Sequence, residues 1–163
     1  ACEALGMTST PLTVFAADVP PRARKSVYPS PFAALMEGRE KRVLGDLLGL
    51  TSFGVNLTRL APGAQSALLH SHSRQQEFFF VLEGTPTLVT SEGEHPLRPG
   101  MCGGFAAGSG VAHHLVNRSN ADAVYLEVGD RTAGDLVDYP NDDLVAVMDG
   151  GAWRFTRKDG SAY

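Results

Sequence analysis

Histidine is scarce in this chain, five in 163 residues, and two of the five form His70-Ser71-His72. On an extended strand residues i and i+2 project from one face, so both imidazoles point the same way and can grip one ion. Glu77 opens the next apolar run, with Phe79 and Val81 on its side. A carboxylate on an inward apolar face is costly unless it is paired or bound to a cation. His113 opens a later run and shares its side with Leu115 and Asn117. Three neutral imidazoles and one carboxylate suit one borderline divalent transition metal ion: Fe, Mn, Ni, Co, Cu or Zn. They do not suit Ca or Mg, which take all-oxygen shells. Glu77 is also the one residue of this group that could act as a base.

Such residues need short, stiff elements to hold them. Eighteen glycines and ten prolines cut the chain into brief runs. Strand-like runs are Thr51–Leu60, Ser66–His72, Glu77–Leu82, Thr85–Thr90, His95–Arg98, Ala112–Asn117, Ala121–Val128, Leu144–Met148 and Trp153–Thr156. Turn signals separate them, among them Ala61-Pro62-Gly63, Pro99-Gly100 and Asp149-Gly150-Gly151. Many short strands between turns predict an all-β sandwich or barrel. Val43–Leu48, an apolar run closed by Gly49, is read as the first barrel strand. Upstream, Leu12–Phe15 reads as a short strand, and residues 1–11 as loosely attached. Ser30-Pro31 reads as the start of a short helix carrying Phe32, Leu35 and Met36, with Ser30 as its cap. The expected organisation is an N-terminal extension over 1–42, a barrel over 43–130, and C-terminal strands over 131–163 that pack on the barrel or on a partner.

The ligand candidates sit in a wider frame. Gly63 is followed by His70-x-His72, Glu77 and then Gly84, and further on Gly110 precedes His113 and Asn117. This frame resembles the two signature motifs of the cupin superfamily. The resemblance implies a double-stranded β-helix, or jelly-roll, barrel. In it the matching His70, His72, Glu77 and His113 would bind one metal ion, leaving further positions to water or substrate. The second motif departs from the usual pattern. Gly108 stands where Pro is expected, Cys102 where an opening Gly is expected, and Met101 follows the Pro99-Gly100 turn where Asp is common. None of these changes touches a ligand.

Around the metal, Phe79 and Val81 are expected to line the pocket, and Arg59, Gln65 and Gln76 to reach its mouth. Asn117 is expected to brace the His113 strand or to meet substrate. His114 should face outward, and His95 lies at a turn. Phe78 and Phe80 should pack on another sheet or subunit. Cys102 reads as an apolar filler, and Trp153 as core or interface. Small cupins commonly pair, so the resemblance implies a homodimer.

The remaining composition excludes several classes. Fourteen basic against eighteen acidic residues give a net charge of −4, which offers nucleic acid or an anionic membrane no attraction. The cluster Arg22, Arg24, Lys25 reads as a solvated N-terminal segment. Two distant cysteines make no disulfide framework, and no apolar stretch is long enough to span a membrane. With no secretory signal either, the expectation is a cytoplasmic protein. Its partner is a small molecule. The first functional expectation is a metalloenzyme of a small polar substrate, similar to sugar or sugar-phosphate isomerases. A metal-dependent dioxygenase and a non-catalytic ligand-binding cupin are the alternatives.

Overall fold

The computed structural model describes residues 10–24 and 26–163. Cys2, Lys25 and most of the stretch expected to be loosely attached lie outside them. Among the described residues twelve strands follow one another: β1 (Arg39–Val43), β2 (Phe53–Leu60), β3 (Ser71–His72), β4 (Glu77–Glu83), β5 (Thr87–Thr90), β6 (Gly93–Pro96), β7 (Cys102–Phe105), β8 (His113–Val116), β9 (Ala123–Asp130), β10 (Leu136–Asp138), β11 (Val145–Asp149) and β12 (Ala152–Thr156). One layer is a five-stranded sheet in the order β1-β2-β9-β4-β7. The other comprises β12-β11-β10-β3 and β6-β5-β8. The chain between β2 and β3 joins these two pieces by running antiparallel along β8. Its backbone bonds are Gly63 N–H to Asn117 O, Ser66 N–H to Leu115 O and His113 N–H to His70 O, each 2.8 Å. The result is a jelly-roll β fold: the strand rhythm predicts an all-β sandwich or barrel, and the cupin resemblance implies this form of it.

Two apolar clusters fill the space between the layers. Leu60, Ala64, Phe79, Val81, Leu97, Leu115 and Tyr125 form one. Met36, Leu68, Val137, Tyr139, Leu144 and Ala146 form the other, with Tyr28, Phe32, Trp153 and Phe155 packed against it. The histidines lie where the two clusters meet: Phe105 beside the first stacks on His113, and Tyr139 of the second stacks on His70.

The upstream region differs from its sequence reading. The sheet begins at Arg39, and the run Val43–Leu48 is the end of β1 followed by a single helical turn, α1 (Leu44–Leu47). A short apolar run without periodicity is compatible with either element. Here close packing decides it, since a Cβ on Gly45 would lie 2.9 Å from the Val55 nitrogen. The Leu12–Phe15 segment forms no strand. The expected helix is a 3-10 turn, Phe32–Met36, capped positionally by Pro31, and Ser30 makes no cap bond to it. The C-terminal strands are continuous with the barrel wall, because β10 pairs directly with β3 through Val137↔His72 and Asp138↔Ser71. Among the described residues no helix is long and apolar enough to cross a membrane.

Candidate metal centre and its cavity

His70 and His72 flank the start of β3, Glu77 opens β4 and His113 opens β8. The antiparallel bridge His70↔His113 sets two of the rings side by side, with centroids 4.8 Å apart. The three imidazoles converge on one carboxylate oxygen of Glu77. Glu77 Oε2 lies 2.7 Å from His113 Nε2, 3.4 Å from His70 Nε2 and 3.4 Å from His72 Nε2. Among the described residues, His70, Glu77 and His113 form a compact group with ligand atoms within 4.8 Å of one another, and it could hold a metal ion. His72 adjoins this group through Glu77.

The outer ring nitrogens determine what the inner ones offer. His70 Nδ1 lies 2.8 Å from Leu68 O, His113 Nδ1 3.2 Å from Val111 O, and His72 Nδ1 2.5 Å from Asp135 Oδ2. Carbonyls and carboxylates only accept, so each Nδ1 carries the hydrogen and donates it. The three Nε2 atoms are left as lone-pair acceptors facing a carboxylate. With neutral rings that makes four acceptors with no donor among them, so either an added proton or a metal cation must sit between them, and outer hydrogen bonds of this kind are how metal-binding imidazoles are oriented.

The electrostatics carry the same mark. Burial opposes charge on His72, yet Glu77 and then Asp135 raise its pKa from 6.5 to about 9. Burial alone would raise the Glu77 carboxyl; hydrogen bonds from His113, His70 and His72 hold it well below its ordinary value of 4.5. The group draws a positive charge into itself.

It opens into a cavity of about 940 Å³ that Phe79, Phe105, Tyr139 and Trp153 also line. Phe79 is therefore where parity predicted. Val81 shares that face but is fully buried in the core beneath, and it does not line the cavity. Arg59, Gln65, Gln76 and Asn117 do not line it either. Arg59 faces outward, paired with Glu40 and Asp122 at 2.8 Å each. Gln65 is occupied in a bridge to Val116. Gln76 is exposed, and its neighbour Gln75 is the one buried against the cavity, donating to Thr132 O. Asn117 is fully buried and ties Leu60 O to Ala121 O through its amide, 2.8 Å to each. Its role here is bracing.

Other expectations meet mixed outcomes. His114 is half-buried, with Nδ1 bonded to Ala67 O, and also lines the cavity. His95 lies within β6 and is exposed. Cys102 is an exposed free thiol on β7, so it fills no apolar space. Trp153 stands 6.1 Å from His72 as part of the cavity wall. Gly108 has a local reason to replace proline: its N–H donates to His72 O, which proline could not do.

Sequence reading missed Asp135, Tyr139 and Glu127. Asp135 lies beside β10 and far from the histidines in sequence. Its one signal is a lone acid ahead of an apolar Leu-Val pair.

Residues 56–129 match the cupin domain family. The structure is similar to that of a sugar phosphate isomerase of the cupin superfamily from Silicibacter pomeroyi DSS-3, with 44% identity over 93% of this chain and 96% of that one and a TM-score of 0.87. The chain belongs to the cupin superfamily. A protein of Acidithiobacillus ferrooxidans ATCC 23270, provisionally a sugar phosphate isomerase, is 28% identical over 87% of this chain and 98% of that one, with a TM-score of 0.69. The polyketide cyclase RemF of Streptomyces resistomycificus shares the fold at 20% identity, over 72% of this chain and 78% of that one, with a TM-score of 0.58. No curated protein matches the chain.

Proposed function

We propose that this cupin is a metal-dependent isomerase of a small phosphorylated sugar. The observation that carries this reading is the 44% identity, over nearly the whole of both chains, to a cupin sugar phosphate isomerase. The donor set supports the metal half of it. His70, His72, Glu77 and His113 would hold the ion, and Zn or Mn suits a reaction that needs no change of redox state. Bound there, the ion supplies a Lewis acid that polarises a carbonyl or hydroxyl oxygen.

The chain's own residues must then move a proton between neighbouring carbons. Glu127 is the carboxylate placed for it. It pairs with Phe79 across β4 and β9, and Phe79 lies two residues from Glu77 on the same inward face. Glu127 therefore lines the cavity one rung from the metal group. Its Oε1 is held by Lys41 Nζ and by Asn56 Nδ2, the latter at 2.9 Å. Glu127 takes the proton from one carbon and returns it to the next, while Phe79 and Phe105 keep water from that wall.

Zn- or Mn-loaded protein is incubated in D2O with a panel of aldose phosphates and followed by NMR. Ketose should appear, with deuterium at the exchanging carbon. Glu127→Gln should lower turnover by roughly 10²–10⁴-fold while leaving metal content unchanged. No interconversion across the panel with any metal overturns the reading.

The same reading includes a homodimer and a cytoplasmic location. The outer face of the five-stranded sheet supports the first: Phe78, Phe80 and Leu82 stand 41%, 36% and 43% exposed along β4. Contiguous exposed apolar side chains of this size mark an association surface. Phe80→Glu should shift a dimer to monomer in sedimentation. The exposed Cys102 thiol supports a reducing compartment.

A further inference from the structure

We infer that Trp153 is a substrate-positioning residue: its indole is the plate on which the carbon chain of the substrate lies beside Glu77 and the histidines, across from a floor left bare by Gly54 and Gly129. That the chain is a sugar rests on the isomerase reading above; the plate and its floor do not.

The plate follows from the last hairpin. Trp153 and Phe155 alternate with the exposed Ala152 and Arg154 along β12, so both turn inward and both line the cavity. One side of the indole packs on the second apolar cluster. β12 lies three strands from β3 in its sheet, yet the indole comes within 6.1 Å of the His72 ring. It therefore reaches across the inner face of the sheet toward the histidines. The other rings there are already faced by rings. Phe105 stacks on His113 at 3.3 Å and on Phe79 at 6.3 Å, and Tyr139 stacks on His70 at 6.0 Å. Trp153 meets His72 at a tilt of 60°, and among the described residues no ring stacks on it.

The floor lies on the facing sheet. Glu77 pairs with Gly129, and Gly129 with Gly54, so the row that starts at the candidate ligand continues as two glycines. Both line the cavity, and neither has positive φ. A Cβ on Gly129 would come no nearer than 3.8 Å to its surroundings, and one on Gly54 no nearer than 3.7 Å, which are ordinary contacts. Backbone and packing would therefore accept side chains here, while glycine inside a strand weakens it. What glycine preserves at these two positions is room beside Glu77.

The two walls suit one chemistry. A sugar chain presents C–H groups on its faces and hydroxyls at its edges. A C–H face gains dispersion and apolar burial on an indole, and the indole N–H can donate to a hydroxyl. The bare floor leaves the other face of the chain space to settle next to Glu77.

The test uses the full-length, Zn-loaded protein titrated with ribitol 5-phosphate and sorbitol 6-phosphate, polyols shaped like sugar phosphates that cannot isomerise. Trp153 is the chain's one tryptophan, so its emission reports on the plate directly and should change on saturation. By calorimetry, Trp153→Leu should weaken binding about tenfold, and Trp153→Phe, which keeps a flat ring, about two- to threefold. Gly129→Ala should weaken binding about tenfold while its melting temperature equals or exceeds the parent's. Arg154→Ala, on the outer face of the same strand and paired with Asp149, should bind as the parent does. A residue that only packs the fold would lower the melting temperature and leave affinity unchanged. Absent binding, binding without a change in emission, or unchanged affinity in Trp153→Leu or in Gly129→Ala overturns the inference. Binding that depends on both positions, in a protein that isomerises nothing, upholds it and removes only the isomerase reading. Isomerisation whose KM is unmoved by Trp153→Leu does the reverse.

Discussion

His72 and Asp135 are joined across 63 positions of sequence by a 2.5 Å contact between Nδ1 and Oδ2. Asp135 is fully buried. Its other oxygen accepts from Ser73 Oγ at 3.1 Å, Arg74 N–H at 2.7 Å and Gln75 N–H at 3.2 Å. One carboxylate therefore orients a candidate ligand ring and shapes the turn that delivers Glu77. Asp135→Asn keeps the size but replaces one accepting oxygen by an amide donor. Metal affinity should fall by about 10–100-fold, read by competition with a chromogenic chelator. Unchanged affinity would show that His72 is oriented by something else.

Gly63 and Gly84 bound the first signature motif, and the structure separates their roles. Both adopt positive φ, +81° and +75°. A Cβ on Gly63 would meet nothing within 4 Å, whereas on Gly84 it would lie 2.4 Å from Asp122 O and 2.8 Å from Ala123 Cα. Gly63→Ala should cost only the left-handed backbone penalty, about 1–2 kcal/mol. Gly84→Ala should cost clearly more, because backbone cannot yield as a side chain can. Denaturant midpoints of the two variants provide the comparison, and equal losses would contradict it.

The site was legible in the sequence to the extent that local rules govern it. Strand parity orients His70 with His72 and Glu77 with Phe79, because both pairs lie two residues apart. Everything that arrives from a distant strand was hidden. Asp135 and Tyr139 reach the histidines through the pairing of β10 with β3, and Glu127 reaches the cavity through the pairing of β9 with β4. The start of the barrel was hidden for a different reason. β1 is four charged residues and a valine, and a barrel strand that points arginine and lysine inward does not read as an apolar run. Parity also overreached at Val81, since a shared face says nothing of depth along the barrel.

Asn117 closes the second motif without touching the cavity. Its amide donates to Leu60 O and Ala121 O, and its Oδ1 accepts from Ser119 N–H and Oγ. Asn117→Ala leaves buried polar groups without partners, which should lower folding stability by about 2–4 kcal/mol. Metal stoichiometry should stay at that of the parent protein. Loss of the metal without loss of stability would mean that Asn117 belongs to the site rather than to its frame.

The pH dependence follows from two opposed groups. In the metal-free protein the His72 pKa is raised from 6.5 to about 9. Its charged form therefore stabilises the fold fully below pH 6.5, and that contribution disappears as pH rises through about 9. Glu77 is held well below 4.5, so its contribution is present above that value and is lost as pH falls beneath it. The metal-free site should stabilise the fold most between these limits and weaken toward alkaline pH. A metal ion held by His72 would replace its proton. Below about pH 9 each ion that enters must displace it, so log apparent affinity should climb by about one per pH unit and level off above. Thermal melts of chelator-treated protein and competitive metal titrations at matched pH values measure the two trends. A melting temperature of the metal-free form that stays level from pH 6.5 to 9, with metal affinity equally level, would mean that His72 carries no proton there and lies outside the metal's shell.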